Sequence, residues 1–128
     1  MNIFLKLLVI ILIIFLNSCS KKEEKISIIE EENLEMQMIA SYREGLAELE
    51  KGDAIYAAKK FNEAELLYPQ SIWAPRASLM AAYSYFSLFY YSDAVVELEK
   101  FLDKYKNNQR RDYAYYLLAL SHYDQIID

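Results

Sequence analysis

The chain repeats one pattern of large and small residues with a period of 37 residues. Three segments align when Gly45, Ala82 and Ala119 are superposed. The same alignment brings together Leu46, Tyr83 and Leu120, Ala57 and Ala94, and Phe61 and Leu98. A period of about 20–50 residues is typical of proteins that stack one small structural unit, in which each unit contacts only its neighbours. This feature restricts the chain to a solenoid.

The repeated unit is expected to be helical. Only two glycines and two prolines occur among the 128 residues, whereas a protein of many strands needs turn residues every 8–12 positions, roughly. Alanine, leucine, glutamate and lysine are abundant, and these residues favour helices. We therefore predict an all-α fold.

Small residues predict where the helices of a unit approach each other. Gly45 lies where the first helix must pass close to its partner, and Gly52-Asp53 is expected to form the turn between the two helices. The residues expected to pack the repeats are Gly45, Ala57, Phe61, Ala64, Ala82, Ala94 and Ala119. This pattern resembles the tetratricopeptide repeat. The resemblance implies a right-handed superhelix of antiparallel helix pairs, with about two and a half repeats in this chain.

The third unit begins near Gln109, and the sequence reaches Asp128 before that unit's second helix. Its first helix carries large apolar side chains, as expected of a helix that packs on a partner and not of a polar cap. We therefore expect the repeat domain, residues 31–128, to be truncated at its C-terminus. Docking of this helix on another subunit is the alternative.

Residues 1–18 have the features of a signal peptide. One cation, Lys6, precedes an uninterrupted apolar run over 7–16, which is shorter than the roughly 20 residues that cross a bilayer and fits the apolar region of a secretory signal. The run ends in Leu16-Asn17-Ser18-Cys19, which resembles the lipobox of bacterial lipoproteins. The resemblance implies cleavage before Cys19 and lipidation of its thiol. An ordinary signal peptide or a short anchor with an incidental cysteine is the alternative.

Cys19 is the only cysteine in the chain, so an internal disulfide is excluded. Two or three acyl chains would hold the protein on a membrane almost permanently. We predict that residues 19–30 form a lipidated tether and that membrane contact is through the lipid alone. Ser20 is not the aspartate that retains lipoproteins at the inner membrane, so the resemblance implies the outer membrane, facing the periplasm.

Composition and residue spacing exclude several functions. The formal net charge of −5 leaves no basic surplus for nucleic acid. His122 is the only histidine, and no residue spacing around it is typical of a metal site or of a catalytic triad. We therefore expect no metal, no cofactor other than the covalent lipid, and no enzymatic activity. A peptidoglycan-active enzyme remains the alternative from another class.

Aromatic residues are dense between Trp73 and Tyr91, and most of them are expected in the core. They exceed what one buried helix face needs, so some are expected to line a groove. Tyrosine offers a rigid apolar body and a hydroxyl for the backbone of an extended peptide. Our hypothesis is that Trp73, Tyr83 and Tyr90 contribute to a peptide-binding groove.

Two segments carry a more specific resemblance. They are LYPQSIWAPRA over 67–77 and RDYAYYLLAL over 111–120, and both look like the BamD (YfiO) family of outer-membrane assembly lipoproteins. The resemblance covers about Tyr42 to Asp128, although 106–109 lacks the family's proline and histidine, and family members normally have about five repeats.

This resemblance implies a scaffold in the β-barrel assembly machinery. The implied partners are a membrane-embedded β-barrel insertase, other lipoproteins of that machinery and the C-terminal segments of unfolded outer-membrane proteins. The alternative is another repeat lipoprotein, either a pilotin for a secretin or a coordinator of cell-wall synthesis.

Overall fold

The fold is given by a computed structural model that describes residues 23–127, and the side chains of residues 31–126. Those residues form α-helices joined by turns, with no strand among them. The helices are α1 (Glu23–Glu50), α2 (Ala54–Leu67), α3 (Ala74–Ser87), α4 (Tyr91–Lys104) and α5 (Arg111–Ile127). The predicted all-α fold is confirmed.

The first helix and the packed unit begin at different residues. That unit begins at Glu32, whereas α1 begins at Glu23, inside the segment predicted as a tether. Residues 23–30 contain no glycine or proline, so no residue there breaks a helix. The predicted signal peptide and Cys19 lie outside the described residues, and the division into signal, tether and domain stays a prediction.

Consecutive helices pack on one another. α2 packs on α3, α3 on α4, and α4 on α5, while α3 also contacts α5. Short turns join these helices, so neighbours run antiparallel. Two helix pairs, α1 with α2 and α3 with α4, are therefore followed by α5 as the first helix of a third unit, which matches the predicted number of repeats.

Small residues allow the close packing of these pairs. Most predicted packing positions are fully buried: Ala57, Phe61, Ala64, Ala82 and Ala94. Gly45 is buried as well, and a Cβ atom placed on it would lie 3.0 Å from the ring of Phe61. Ala119 is exposed, because no described helix covers the face of α5 that corresponds to the buried faces of α1 and α3.

An ionic network joins the second helices of the two pairs. Glu65 of α2 is only 1% exposed. Its carboxylate accepts hydrogen bonds from Lys104 Nζ at 2.7 Å and from the Tyr105 hydroxyl at 2.6 Å. Lys100 Nζ lies 3.5 Å from the other carboxylate oxygen. The stacking of the repeats therefore depends on one buried anion as well as on apolar packing.

The first inter-helix turn supplies a test of helix capping. The Asp53 side chain accepts a hydrogen bond from the Tyr56 backbone N–H at 2.9 Å and caps α2. We expect Asp53→Ala to lower the free energy of unfolding by about 1 kcal/mol. Urea unfolding followed by circular dichroism measures this loss. Asp53→Asn keeps an acceptor oxygen and should retain most of the stability, and an equal loss in both variants would contradict the capping role.

Candidate peptide-binding groove

A groove of about 380 Å³ lies between α1 and the start of α3. Its walls are mostly apolar, with two guanidinium groups at the edge. The lining residues are Met38, Ile39, Tyr42, Arg43, Leu46, Trp73 and Arg76. The groove is open to solvent, and its volume can hold a large side chain or part of an extended peptide.

A second groove of about 300 Å³ continues from the first towards α5. Its lining residues are Arg76, Leu79, Met80, Tyr83, Arg110 and Tyr113. Arg76 belongs to both grooves, so they form one continuous surface along α1, α3 and α5. Arg76, Met80 and Tyr83 recur at helical spacing on one face of α3, which explains how a single helix supplies the floor throughout. We call this surface the α1–α3–α5 groove.

Aromatic rings stiffen one end of the α1–α3–α5 groove. The Tyr42 ring lies edge-on to Phe61 at 5.1 Å and to Trp73 at 6.1 Å between centroids. The Arg76 guanidinium lies 5.1 Å from the centroid of Trp73. Such contacts hold rings and guanidinium in place before a ligand arrives, which lowers the entropy lost on binding.

Three arginines give the α1–α3–α5 groove a positive charge in an acidic protein. Within the part of the chain that the structure describes, Arg43, Arg76 and Arg110 form no ion pair. Arg111 differs, because it donates hydrogen bonds to the Leu102 carbonyl and to the Tyr115 hydroxyl. The three unpaired guanidiniums are free to donate paired hydrogen bonds to a carboxylate.

Tyrosine hydroxyls supply neutral polar groups in the same place. Burial raises the pKa of Tyr113, and its proximity to Tyr83 and Tyr116 adds to the increase. The Tyr113 hydroxyl therefore keeps its proton at neutral pH and can donate a hydrogen bond to a peptide carbonyl. Apolar walls, unpaired guanidiniums and protonated hydroxyls together suit an extended peptide with large apolar side chains and a carboxylate.

Two of the three residues predicted for a groove lie in it. Trp73 and Tyr83 line its two parts, with Arg76 between them. Tyr90 does not: its ring packs edge-on against Tyr85 at 6.5 Å. Tyr85 is two residues beyond Tyr83 and therefore points about 200° away from it around α3.

The arginines were missed in the sequence analysis, and their spacing gives the reason. Arg43, Arg76 and Arg110 recur after 33 and 34 residues, whereas the repeats align with a period of 37 residues. Each arginine thus falls about one helical turn earlier in its unit than the arginine before it. The three residues cross the groove diagonally, so an alignment of equivalent repeat positions cannot detect them.

The described residues contain neither a metal site nor a membrane-spanning helix. Over residues 31–126, no group of histidine, cysteine, aspartate and glutamate side chains could hold a metal ion. His122 is exposed on α5. Between residues 23 and 127, no helix has both the length and the apolar character needed to cross a membrane.

Comparisons with known proteins give one consistent result. The family model described as "YfiO: Outer membrane lipoprotein" matches residues 34–128. The outer membrane protein assembly factor BamD of Caulobacter vibrioides is 30% identical over 110 residues, covering 86% of this chain and 35% of that protein. BamD of Rickettsia prowazekii is 34% identical over 125 residues, covering 96% of this chain and 47% of that protein. The chain thus spans less than half the length of these relatives, and no solved structure matches it significantly.

Proposed function

The chain belongs to the YfiO family of outer membrane lipoproteins, and we propose that it is a non-catalytic scaffold in the assembly of outer-membrane β-barrel proteins. Its location is accordingly the outer membrane. Both curated relatives carry the name of an assembly factor. The observation that carries the proposal within this chain is the preformed α1–α3–α5 groove with its unpaired arginines.

The proposed attachment is a lipid on Cys19, with the repeats on the periplasmic side. The lipobox-like Leu16-Asn17-Ser18-Cys19 supports it. Mass spectrometry of the protein isolated from its native membrane tests it. The expected N-terminal peptide begins at Cys19 and carries acyl chains, and a peptide that begins at Met1 without lipid would contradict the assignment.

The proposed ligand of the α1–α3–α5 groove is the C-terminal segment of an unfolded β-barrel protein. An aromatic terminal side chain suits the pocket beside Trp73 and Tyr42, while the terminal carboxylate suits an arginine. The tyrosine hydroxyls of the groove can then form hydrogen bonds with the backbone of the peptide. Binding should weaken as salt concentration rises, because the exposed guanidiniums are screened.

The groove can be tested with a synthetic peptide that ends in phenylalanine with a free carboxylate. Trp73 is the only tryptophan in the chain, so its fluorescence reports binding at the groove directly. We expect Arg76→Ala with Tyr83→Ala to weaken binding at least tenfold, equivalent to about 1.4 kcal/mol. The helical circular dichroism signal should remain.

A matched control comes from the residue next to Trp73. Ile72 is 89% exposed and is not among the residues that line the groove, so Ile72→Ala should leave the affinity unchanged. Tyr90→Ala should also leave it unchanged, because Tyr90 packs away from the groove. Unchanged affinity in the folded Arg76 and Tyr83 double variant would remove the proposal.

The proposed protein partners are a β-barrel insertase and other lipoproteins of the same assembly machinery. Affinity purification of the lipoprotein from its own outer membrane, followed by mass spectrometry, tests this. A β-barrel insertase among the copurified proteins is the expected result. Recovery of a secretin or a cell-wall synthase in its place would overturn the assembly role while leaving the fold unchanged.

A further inference from the structure

The turns inside the two helix pairs have the same backbone structure. In the first, the Gly52 N–H donates to the Leu49 carbonyl at 3.0 Å, and the Asp53 N–H donates to the Glu48 carbonyl at 3.0 Å. This pair of hydrogen bonds defines a Schellman motif, whose central residue adopts the left-handed conformation and is usually glycine. Gly52 has φ 85° and meets that requirement.

The second turn repeats the motif with phenylalanine in the glycine position. The Phe89 N–H donates to the Phe86 carbonyl at 3.1 Å, and the Tyr90 N–H donates to the Tyr85 carbonyl at 3.0 Å. Phe89 has φ 67° and is the one residue other than glycine with positive φ in the part of the chain that the structure describes. It lies 37 residues after Gly52, so the repeat places a bulky side chain where the backbone favours none.

The Phe89 side chain is also poorly buried. It is 75% exposed, and its ring lies edge-on to that of Tyr91 at 6.1 Å between centroids. Tyr90, by contrast, packs on Tyr85 and supplies the apolar contact that usually accompanies a Schellman motif. Packing within the chain thus accounts for tyrosine at position 90 but not for phenylalanine at position 89. Glycine at position 89 would suit the left-handed backbone better and would expose no ring to water.

Acidic residues predominate in the sequence segment that contains this turn. No lysine, arginine or histidine occurs between Arg76 and Lys100, whereas Asp93, Glu97 and Glu99 lie in that interval. Asp93 is exposed in the first turn of α4. Glu97 pairs with Lys100 Nζ at 3.1 Å, whereas Asp93 forms no ion pair in the part of the chain that the structure describes. Burial raises the pKa of Tyr85, and the nearby carboxylates of Glu97 and Asp93 add to the increase.

We propose that Leu88, Phe89 and Tyr90, which we call the aromatic turn, dock into an apolar pocket with a basic rim on a folded protein partner. A strained and exposed aromatic side chain does not stabilise the fold, so we attribute its presence at this position to binding. The acidic flank complements a basic rim and opposes contact with anionic lipids. The aromatic turn lies on the Tyr85 side of α3, away from the α1–α3–α5 groove, so this proposal does not rest on peptide binding there.

The test places a photo-crosslinking amino acid, p-benzoylphenylalanine, at position 89 of the full chain in its native outer membrane. A second chain carries it at position 72, where Ile72 is 89% exposed, more than Phe89, but lies outside the aromatic turn. We expect position 89 to crosslink to an identified protein, at an apolar segment bordered by lysine or arginine, and position 72 not to. Adducts to lipid, to a second copy of the chain, or to the same proteins from both positions would overturn the proposal, as would no adduct.

Two further variants separate binding from folding. Phe89→Gly and Phe89→Asn both suit the left-handed backbone. We expect each to reduce copurification of the crosslinked protein at least tenfold, while Phe89→Gly raises Tm by about 4 °C. Asp93→Lys should also reduce copurification, with a fall in Tm of no more than about 4 °C, because a carboxylate is lost from the first turn of α4. A fall in Tm in both Phe89 variants would show that the ring serves folding, and unchanged copurification would show that it does not bind.

Discussion

Glu65→Ala is expected to lower the free energy of unfolding by about 3 kcal/mol. Removal of one partner from a buried ion pair typically costs about 3–5 kcal/mol. The lower end applies here because Lys100 and Lys104 are 43% and 41% exposed and can turn to water once the carboxylate is lost. The Tyr105 hydroxyl would lose its acceptor as well. Urea unfolding of the two proteins at neutral pH measures the difference.

The control for Glu65 is a carboxylate in an exposed ion pair. Glu63 pairs with Lys60 at 3.0 Å and is 43% exposed, so Glu63→Ala should cost less than about 1 kcal/mol. Equal losses in the two variants would show that burial of Glu65 is unimportant. Replacement of Glu65, Lys104 and Tyr105 together by apolar residues of similar volume should restore most of the stability, because no unpaired charge remains.

The stabilisation by Glu65 should also disappear in acid. Burial alone would raise the pKa of Glu65, but the hydrogen bonds from Lys104 and Tyr105 and the charge of Lys100 outweigh burial and lower it. A carboxyl whose folded pKa lies below its unfolded value stabilises the protein above the unfolded value, and this is lost as pH falls through the folded one. The difference in unfolding free energy between wild type and Glu65→Gln should therefore be constant above about pH 5 and shrink below pH 4.5. A difference that grows in acid would contradict the lowered pKa.

The burial of Glu65 could not be predicted from the sequence. Phe61 and Ala64 follow the helical period and were predicted to be buried, and both are. Glu65 follows Ala64 directly and carries a charge, so the sequence alone predicts that its side chain is exposed to solvent. Its burial comes from partners 39 and 40 residues later in the sequence, and no local period encodes that contact.

The fold itself was predictable because a solenoid is built from local contacts. Gly45 and Ala82 recur with the period of 37 residues, as do Ala57 and Ala94. In a solenoid each unit contacts only its neighbours. The groove was only partly predictable. Trp73 and Tyr83 were predicted from the density of aromatic residues and line the groove, whereas Tyr90 belongs to the same dense segment but packs in a turn. The sequence pattern does not distinguish a ring that lines a groove from one that closes a Schellman motif.

The packing of Gly45 against Phe61 leads to the second large expected effect. Phe61 is fully buried, and its ring meets Tyr42 at 5.1 Å. We expect Phe61→Ala to lower the free energy of unfolding by about 3–5 kcal/mol, because it removes apolar contacts and leaves a cavity between α1 and α2. Urea unfolding followed by circular dichroism measures the loss. Tyr116 is 59% exposed, so Tyr116→Ala is the control and should cost less than about 0.5 kcal/mol.

The ring of Phe61 should also determine whether alanine at position 45 stabilises or destabilises the protein. Alanine is normally favoured over glycine inside a helix by about 1 kcal/mol. At position 45, however, its Cβ would lie 3.0 Å from two ring carbons of Phe61 and 3.1 Å from a third. We therefore expect Gly45→Ala to destabilise the wild-type protein by about 1–2 kcal/mol, within the range of about 1–3 kcal/mol that overpacking usually costs. In a Phe61→Leu background the ring is absent, and the same substitution should become neutral or stabilising. Additive effects in this double-mutant cycle would show that the two residues are not coupled and that the close approach of α1 and α2 does not require glycine.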